Sequence, residues 1–270
     1  MPRIAPILAL LLALAAPAWA QSGFLDRAVT VGGVVHRYQV YIPAEPAPGG
    51  KPWPIILDLH GKGPEGFDGL RQTEAGMAQA IRGRRDQFPA IVVLSQAQPG
   101  RRWLDTDMQD LAMAELDRAV AEFHPDPSRV YLTGFSMGAT GAYRIAYHWP
   151  RRFAAMMTIA GRVTTFDVLT YPEADKQADR VANPFVAAPE PFAALAQGLG
   201  RLPVLIAHGD ADATVPVEQS RRLVAALKAA GADVTYRENP GGGHVSTAEK
   251  TYADPASMAW LLAQRRGVVK

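Results

Sequence analysis

The chain has 270 residues, of which 48% are hydrophobic, and this length fits one large domain with a sizeable buried core. It contains no cysteine, which excludes disulfides, a thiol nucleophile and cysteine-based metal sites. Lysine and arginine number 28 against 26 aspartate and glutamate residues, and this near-neutral balance predicts no broad basic face for nucleic acid.

The first twenty residues have the features of a secretory signal peptide. Arg3 gives a positive start, an apolar run follows at 4–16, and Ala18-Trp19-Ala20 is a small-x-small cleavage site. The run is shorter than the ~20 residues of a membrane span, and no later segment is apolar enough to be one. The sequence therefore predicts cleavage after Ala20, a mature chain over 21–270 and a secreted or periplasmic protein. A buried N-terminal helix or an uncleaved anchor is the alternative.

The mature chain alternates short apolar runs with segments of helical periodicity. Two β-branched stretches at 28–31 and 34–42 flank Gly32-Gly33 and predict an antiparallel hairpin. Helical patterns, clearest at 111–123 and 217–230, separate most of the later runs and predict crossover helices. The chain is therefore predicted to form one α/β domain with a mostly parallel sheet of about eight strands. The remaining strand patterns lie at 55–59, 90–94, 129–133, 154–159, 204–207 and 233–237.

The loop after the strand at 55–59 contains a nucleotide-binding pattern. Residues Gly61 to Gly66 match G-x-G-x-x-G, the fingerprint of dinucleotide-binding proteins. Pro64 lies inside the turn, and no helical pattern opens directly after it. The preceding strand also follows a hairpin instead of starting a βαβ unit. A nucleotide site is therefore disfavoured, and no cofactor is predicted.

The pentapeptide Gly134-Phe135-Ser136-Met137-Gly138 lies between the strand at 129–133 and an amphipathic helix. The pentapeptide alone is a weak signal, but this strand–turn–helix setting is that of a serine nucleophile elbow. Gly134 and Gly138 would let the strand and the helix approach closely. The sharp turn would expose the Ser136 hydroxyl at a helix N-terminus, where backbone N–H groups can receive negative charge.

The stretch 163–202 breaks the alternation of strands and helices. It is irregular in pattern and contains four prolines and scattered aromatic residues, at Phe166, Tyr171, Phe185 and Phe192. Long loops within a compact domain are commonly lids or pocket walls. We therefore expect a lid or pocket insertion here, because aromatic residues argue against the alternative of a disordered surface segment.

A serine nucleophile requires a base, and three of the six histidines follow Ser136 in the chain. In enzymes that carry a serine nucleophile elbow of this kind, the order of the catalytic residues along the sequence is serine, acid, histidine. His148 lies near the end of the helix after the elbow, and His208 has no suitable acid before it. His244 follows a glycine run after the last predicted strand, in a loop that can reach the serine, and it is the predicted base.

The acid is predicted in the loop that follows the strand at 204–207. Asp210 and Asp212 both lie there, at the carboxyl edge of the sheet that also carries the elbow. Asp212 is preferred because it lies further into the loop that must reach His244, whereas Asp210 is suited to capping the turn. The acid would fix the tautomer of the imidazole and stabilise its cation.

The tetrahedral intermediate of acyl transfer needs two donors for its oxyanion. The N–H of Met137, directly after the serine, is one candidate, and the N–H of Lys62, preferred over that of Gly61, is the other. Trp103 and His60 are candidates for the substrate pocket, although a core position is equally compatible with Trp103. No H-E-x-x-H or paired-histidine spacing is present, so no metal is predicted.

With these residues in hand, the chain resembles the α/β-hydrolase esterases known as predicted peptidases, which are related to feruloyl-esterase-like and polyhydroxybutyrate-depolymerase-like enzymes. The resemblance implies the α/β-hydrolase fold, the triad Ser136, Asp212 and His244, the same oxyanion loop and ester substrates. The matching stretches span almost all of the mature chain, in order: VGGVVHRYQVYIP, PIILDLHGKG, FPAIVVLSQ, DPSRVYLTGFSMG, HGDADATVPVEQSRRLVAALKAAG and YADPASMAWLLAQRR.

The chain departs from that family at three places. The segment 163–202 is longer than usual, Lys62 replaces a small residue, and Ala139 stands where a second glycine is common. These differences leave the reaction type intact and the acyl and alcohol preferences open. We expect hydrolysis of a small-molecule or polymeric ester through an acyl-enzyme. An exported peptidase acting on small peptides would use the same residues, and a non-catalytic binding protein is disfavoured because every triad position is retained.

Overall fold

The computed structural model describes residues 22–45, 47–84, 88–165 and 171–267, so the predicted signal peptide at 1–20 lies outside the described residues. Eight strands form a single sheet within those ranges. They are β1 (Gly23–Val31), β2 (Val34–Ile42), β3 (Ile55–Leu59), β4 (Ile91–Ser95), β5 (Val130–Phe135), β6 (Ala155–Ile159), β7 (Val204–Gly209) and β8 (Val234–Asn239).

The sheet has the order β1-β2-β4-β3-β5-β6-β7-β8 and is antiparallel only at one side. β1 pairs with β2 as the predicted hairpin, and β2 pairs antiparallel with β4. All the pairings among β3 to β8 are parallel. Gly32 and Gly33 have φ values of 56° and 80°, which suits glycine in the tight turn of a hairpin. The predicted mostly parallel eight-stranded sheet with an N-terminal hairpin is confirmed.

Nine α-helices flank the sheet within the described ranges, and none of them is long and apolar enough to cross a membrane. Short 3₁₀ turns occur at Pro48–Gly50 and Arg71–Thr73. The helices are α1 (Met77–Arg82), α2 (Thr106–Phe123), α3 (Met137–His148), α4 (Glu173–Ala182), α5 (Pro184–Ala187), α6 (Pro191–Leu199), α7 (Glu218–Ala229), α8 (His244–Ala253) and α9 (Pro255–Ala263).

The core forms two apolar layers, one on each face of the sheet. Alternate residues of a strand point to opposite faces, so Leu57 joins one layer and its neighbour Ile56 joins the other. The first layer contains apolar residues of α2, α3, α6 and α7, and the second contains residues of α1, α8 and α9. Burial on both faces explains why β3 to β7 read as nearly continuous apolar runs in the sequence.

The expectation of an irregular segment at 163–202 is wrong for residues 171–202, which contain α4, α5 and α6. Two of the four prolines that suggested a loop, Pro184 and Pro191, are the first residues of α5 and α6. Proline is favoured there because its missing N–H would have had no partner within the helix. Phe185 and Phe192 are buried in the core. A role for this segment as a lid or pocket wall stays a prediction.

A buried ion pair ties α4 to the helix that follows the nucleophile elbow. Arg144 of α3 and Asp179 of α4 have fully buried side chains, and two guanidinium nitrogens lie 2.7 and 3.0 Å from the two carboxylate oxygens. Thr165 and Asn183 donate to the same carboxylate at 2.8 and 2.9 Å. The described part of the insertion is therefore anchored to α3 through a bidentate pair with additional hydrogen bonds, the arrangement that buried charges require.

Candidate active site

Ser136 lies at a sharp turn between β5 and α3, as the elbow motif predicts. Its φ of 56° and ψ of −114° are unusual for a residue with a side chain, which marks a strained backbone. The Ser136 N–H donates to the carbonyl of Ile159 in β6 at 2.8 Å and so holds the turn against the neighbouring strand. A Cβ at Gly138 would lie 1.8 Å from the Leu59 carbonyl oxygen, and one at Gly134 would lie 2.4 Å from the Gly138 carbonyl carbon. Glycine is therefore required at both positions.

Three side chains from separate parts of the chain form one hydrogen-bonded series. His244 Nε2 lies 2.8 Å from Ser136 Oγ, and His244 Nδ1 lies 2.6 Å from Asp212 Oδ2. An ionised carboxylate only accepts, so Nδ1 carries the proton and donates it, and Nε2 accepts from the serine hydroxyl. This is the geometry in which an imidazole can remove a proton from a serine. The structure thus brings together the three residues predicted as nucleophile, base and acid.

The position of His244 differs in one respect from the sequence prediction. His244 is the first residue of α8, whereas the glycine run before it predicted a flexible loop. Its imidazole packs against the ring of Phe135, the residue before Ser136, with 4.7 Å between the ring centroids. A Cβ at Gly61 would lie 3.0 Å from the same phenyl ring. Phe135 therefore packs close to both the imidazole and the loop after β3.

Asp212 is held in its ionised form by several donors. Its Oδ1 accepts from the N–H groups of Thr214 and Val215, both at 2.8 Å, and its Oδ2 faces His244. Burial raises the pKa of Asp212, but the hydrogen bonds from Val215, His244 and Thr214 outweigh it and hold the pKa below its usual value. The carboxylate is therefore charged at neutral pH and available to stabilise a protonated imidazole.

The loop that carries Asp212 contacts the loop that leads to His244 directly. Ala211 N–H donates to the carbonyl of Gly242 at 3.1 Å, and Gly241 N–H donates to Asp210 Oδ1 at 2.6 Å. A Cβ at Gly209 would lie 2.0 Å from the Gly242 oxygen, so the close approach of the two loops requires glycine there. Asp210 thus joins the two loops, and the carboxylate that reaches the imidazole is that of Asp212.

Helix α8 is attached to the centre of the sheet by a buried hydrogen bond. The Tyr252 hydroxyl donates to Asp58 Oδ1 in β3 at 3.2 Å, and Thr133 Oγ1 lies 3.4 Å from the same hydroxyl. Burial raises the pKa of Asp58 to about 7. Because His244 begins this helix, the contact between Tyr252 and Asp58 fixes the element that carries the predicted base.

The raised pKa of Asp58 predicts how stability depends on pH. The folded state keeps a proton on this carboxyl that the unfolded state loses at about pH 4, so the free energy of unfolding should fall as the pH rises from about 4 to about 7. Asp58→Asn cannot ionise and keeps an oxygen that accepts from Tyr252. We expect this variant to exceed the wild type in stability at about pH 8 by up to about 4 kcal/mol, and to match it more closely at about pH 4.

Denaturant unfolding at several pH values measures this difference. Asp110→Asn, at an exposed position of α2, is the matched control and should keep the pH dependence of the wild type. Equal pH dependence in Asp58→Asn and the wild type would show that the Asp58 carboxyl does not titrate in this range.

The two predicted oxyanion donors belong to the elbow itself and to the loop after β3. Met137 is the first residue of α3, where the helix leaves its leading N–H groups without intrahelical acceptors. Lys62 lies in the exposed loop after β3, and the neighbouring Gly63 N–H is engaged by Glu65 Oε2 at 2.7 Å. The roles of Met137 and Lys62 as oxyanion donors stay predictions.

Trp103 and His60 lie beneath the loop after β3, which differs from the pocket-lining position expected. Trp103 is fully buried, and its indole N–H donates to the His60 carbonyl at 2.9 Å. His60 Nε2 accepts from the N–H of Ala97 at 3.0 Å, and its Nδ1 lies 2.5 Å from the Gly61 carbonyl. Burial lowers the pKa of His60, which favours this neutral form. Both side chains support the loop from inside the protein.

Two further features concern ligands other than the substrate. Among the described residues, no group of three or more histidine, aspartate and glutamate side chains could hold a metal ion. A groove of about 940 Å³ is lined by Ala154, Pro203 and Asp233, which directly precede β6, β7 and β8. It therefore lies at the amino edge of the sheet, opposite the edge that carries Ser136.

The profile of the prolyl oligopeptidase family matches residues 98–265, more than half of the chain. The chain belongs to this family. The match includes the elbow, the acid loop and His244, whereas the loop at 60–63 lies before it. Family membership, the fold and the similarity to two proteins that are named esterases, one of them of known structure, confirm the resemblance to α/β-hydrolase esterases that the sequence motifs indicated.

Three known proteins illustrate this similarity. The protein named "Putative esterase NocK" of Nocardia uniformis subsp. tsuyamanensis is 29% identical over 269 positions, which cover 86% of this hydrolase and 68% of NocK. A thermostable esterase of known structure is 25% identical with a TM-score of 0.67; the match covers 90% of this chain and spans 63% of that one. FphF, a fluorophosphonate-binding serine hydrolase of Staphylococcus aureus, shares the fold at 14% identity, with a TM-score of 0.70 and coverage of 90% and 99%. The chain is therefore a hydrolase of the ester or peptide type.

Proposed function

We propose that the protein is a serine hydrolase that cleaves carboxylic esters through an acyl-enzyme on Ser136. The observation that carries this proposal is the series Ser136–His244–Asp212, with distances of 2.8 and 2.6 Å at the carboxyl edge of the sheet. A serine hydroxyl is a weak nucleophile by itself and needs an adjacent base whose orientation is fixed by a third group. This geometry provides both.

In the first half of the proposed reaction, Ser136 Oγ attacks the ester carbonyl while His244 Nε2 takes its proton. The negative charge on the former carbonyl oxygen is held by the N–H groups of Met137 and Lys62. Asp212 stabilises the protonated imidazole without accepting its proton. The tetrahedral intermediate then breaks the bond to the alcohol oxygen, which leaves with the proton from His244, and the acyl group remains on Ser136.

In the second half, water replaces the alcohol. His244 removes a proton from the water as its oxygen attacks the acyl carbonyl, and the oxyanion is held by the same two donors. Collapse of this intermediate breaks the bond to Ser136 Oγ, which recovers its proton from His244. The products are one carboxylic acid and one alcohol, and the free enzyme is restored.

Ester substrates are favoured over peptides because the two relatives of highest identity described above, NocK and the thermostable esterase, bear esterase names. Peptide hydrolysis is the second candidate, and the specific observation that favours it is the family match, since the family is that of prolyl oligopeptidase. The same three side chains would serve either substrate, so substrate preference must be measured.

A direct comparison of substrates separates these two candidates. Purified protein would be assayed with p-nitrophenyl esters of increasing acyl length, with methyl ferulate and with small peptide p-nitroanilides, alongside Ser136→Ala. We expect higher kcat/KM on an unactivated ester such as methyl ferulate than on any anilide, since p-nitrophenyl esters are intrinsically more reactive than anilides, and a large loss on both substrates in the variant. Faster hydrolysis of anilides than of every ester would assign the protein as a peptidase instead.

We also propose that the protein is exported and cleaved after Ala20. The support is the order of Arg3, the apolar run at 4–16 and Ala18-Trp19-Ala20, all of which lie outside the described residues. N-terminal sequencing of the protein recovered from the periplasm or the medium should begin at Gln21. Recovery of the full-length protein in the cytosol would contradict export.

A further inference from the structure

The Asp212 carboxylate is faced by a second imidazole, that of His208. This residue is the fifth of β7, its side chain is fully buried, and its Nε2 lies 3.2 Å from Asp212 Oδ2. The same oxygen lies 2.6 Å from His244 Nδ1. The sequence predicts no role for His208, because no suitable acid precedes it and because neither the elbow motif nor the chain order of a triad includes it.

The hydrogen bonds around His208 fix its tautomer. Nε2 also lies 3.0 Å from the carbonyl oxygen of Val215, and a carbonyl can only accept, so Nε2 carries a proton. Nδ1 lies 2.7 Å from Ser220 Oγ of α7 and accepts its hydroxyl proton when the ring is neutral. Burial lowers the pKa of His208, which favours this neutral ring. His208 is thus a fixed N–H donor directed at Asp212 and Val215.

Of the two carboxylates near His208, those of Asp212 and Glu238, the N–H of His208 faces that of Asp212. Glu238 lies opposite His208 in the pairing of β7 with β8, but Arg221 and the Tyr236 hydroxyl engage it at 2.6 to 2.9 Å. The ring dipole therefore acts on the carboxylate that supports His244. In a buried site such a dipole is worth more than in water.

The contacts of His208 also close the loop that carries the acid. Val215 N–H donates to Asp212 Oδ1, while the Val215 carbonyl and Asp212 Oδ2 both face His208 Nε2. One imidazole thus bridges the two ends of the turn 212–215 and attaches it to β7. If this donor were removed, the N–H groups of Thr214 and Val215 would still keep Asp212 beside His244, but the carboxylate would hold the imidazole less precisely.

We propose that His208 is a positioning residue, whose N–H orients the Asp212 carboxylate toward His244 and shares its negative charge. The inference rests on the proposed function, because it assigns His208 a role in the same hydrolysis. His208 does not touch the reacting atoms and takes no proton from Ser136. It sets how strongly Asp212 holds His244 and how much of the carboxylate charge the catalytic imidazole receives.

The test compares His208→Leu, which removes the donor, with His208→Gln, whose side-chain amide keeps an N–H near the position of Nε2. We expect His208→Leu to lower kcat on a p-nitrophenyl ester by ~10–100-fold with KM nearly unchanged, and His208→Gln to recover much of the loss. With one donor fewer, Asp212 directs more charge to His244, so the acidic limb of the kcat/KM profile should move to higher pH. A loss of packing alone would not move this limb.

His148→Leu is the matched control, since His148 contacts Asn183 on the outer side of α3 and lies outside the series of three side chains. It should keep the wild-type kcat and pH profile. If His208→Leu does not fold, as judged by circular dichroism, Ser220→Ala replaces it as the test. That variant removes the donor to His208 Nδ1 and should lower kcat by ~2–10-fold with the same direction of pH shift.

The outcomes separate the inference from the function on which it depends. Wild-type protein that hydrolyses no ester, or that keeps its rate in Ser136→Ala, overturns the proposed function. A second outcome overturns only the role of His208. In it the wild type is active, and a folded His208→Leu has the kcat and pH profile of the wild type. Where His208→Leu does not fold, the same result in Ser220→Ala leads to the same conclusion.

Discussion

Replacing Ser136 by alanine is expected to lower kcat on a chromogenic ester by up to ~10⁶-fold, with little change in KM. The variant retains the backbone donors and the imidazole but has no oxygen to form the acyl-enzyme. Alanine and serine meet the same backbone strain at a φ of 56°, so the variant should fold like the wild type. Steady-state kinetics with enzyme at high concentration would measure the residual rate.

Ser128→Ala is a suitable control for Ser136→Ala. Ser128 precedes β5 at the amino edge of the sheet and contacts Asp126, far along the strand from the elbow. It should leave kcat within about twofold of the wild type, as for a substitution away from the site. If both variants retained comparable rates, Ser136 could not be the nucleophile.

Asp212→Asn is expected to lower kcat by ~10⁴-fold. An amide can present an N–H to His244 Nδ1, and the imidazole would then place its own proton on Nε2, where it could no longer accept from Ser136. The amide would also give no charge to balance the protonated ring. The rate should be measured on the same ester, with the fold checked by circular dichroism.

Asp210→Asn is the matched control for the acid. Its side chain accepts the Gly241 N–H at 2.6 Å, and an asparagine oxygen can take that role. We expect a loss of no more than about tenfold, the size of one weakened hydrogen bond. A larger loss in Asp210→Asn than in Asp212→Asn would show that the acid has been assigned to the wrong residue.

The strands and the elbow could be predicted from sequence because their signals are local. β3 to β7 are buried on both faces and therefore read as apolar runs, and the hairpin is marked by Gly32-Gly33 between two alternating stretches. Close contacts with Leu59 and with the start of α3 require the two elbow glycines, so the pentapeptide indicates both the turn and the packing around it.

The helices of the insertion and the start of α8 could not be predicted with the same rules. Pro184 and Pro191 suggested breaks because proline occurs both just after the end of a helix and at its first position, and only packing decides which. The close contact between the acid loop and the loop before His244 requires glycine at position 209, a reason that cannot be deduced from either loop alone.

Ser136, Asp212 and His244 could be predicted from a motif and from the order of residues along the chain. Phe135 and His208 could not be predicted in this way. The role of Phe135 depends on contact with His244, which is distant in the sequence. The role of His208 depends on which side of the turn at 212–215 its side chain faces. The same limit explains Trp103 and His60, since a residue in a loop near the site can face the substrate or the core. Tertiary contacts, such as the hydrogen bond from the Trp103 indole N–H to the His60 carbonyl, decide between these two orientations.

The central claim is that Ser136 is the residue that becomes acylated. The most direct test treats the protein with a fluorophosphonate, digests it and locates the adduct by mass spectrometry. A single adduct on Ser136, accompanied by loss of ester hydrolysis and absent from Ser136→Ala, is the expected result. An adduct on another residue, or full activity in the labelled protein, would contradict the assignment.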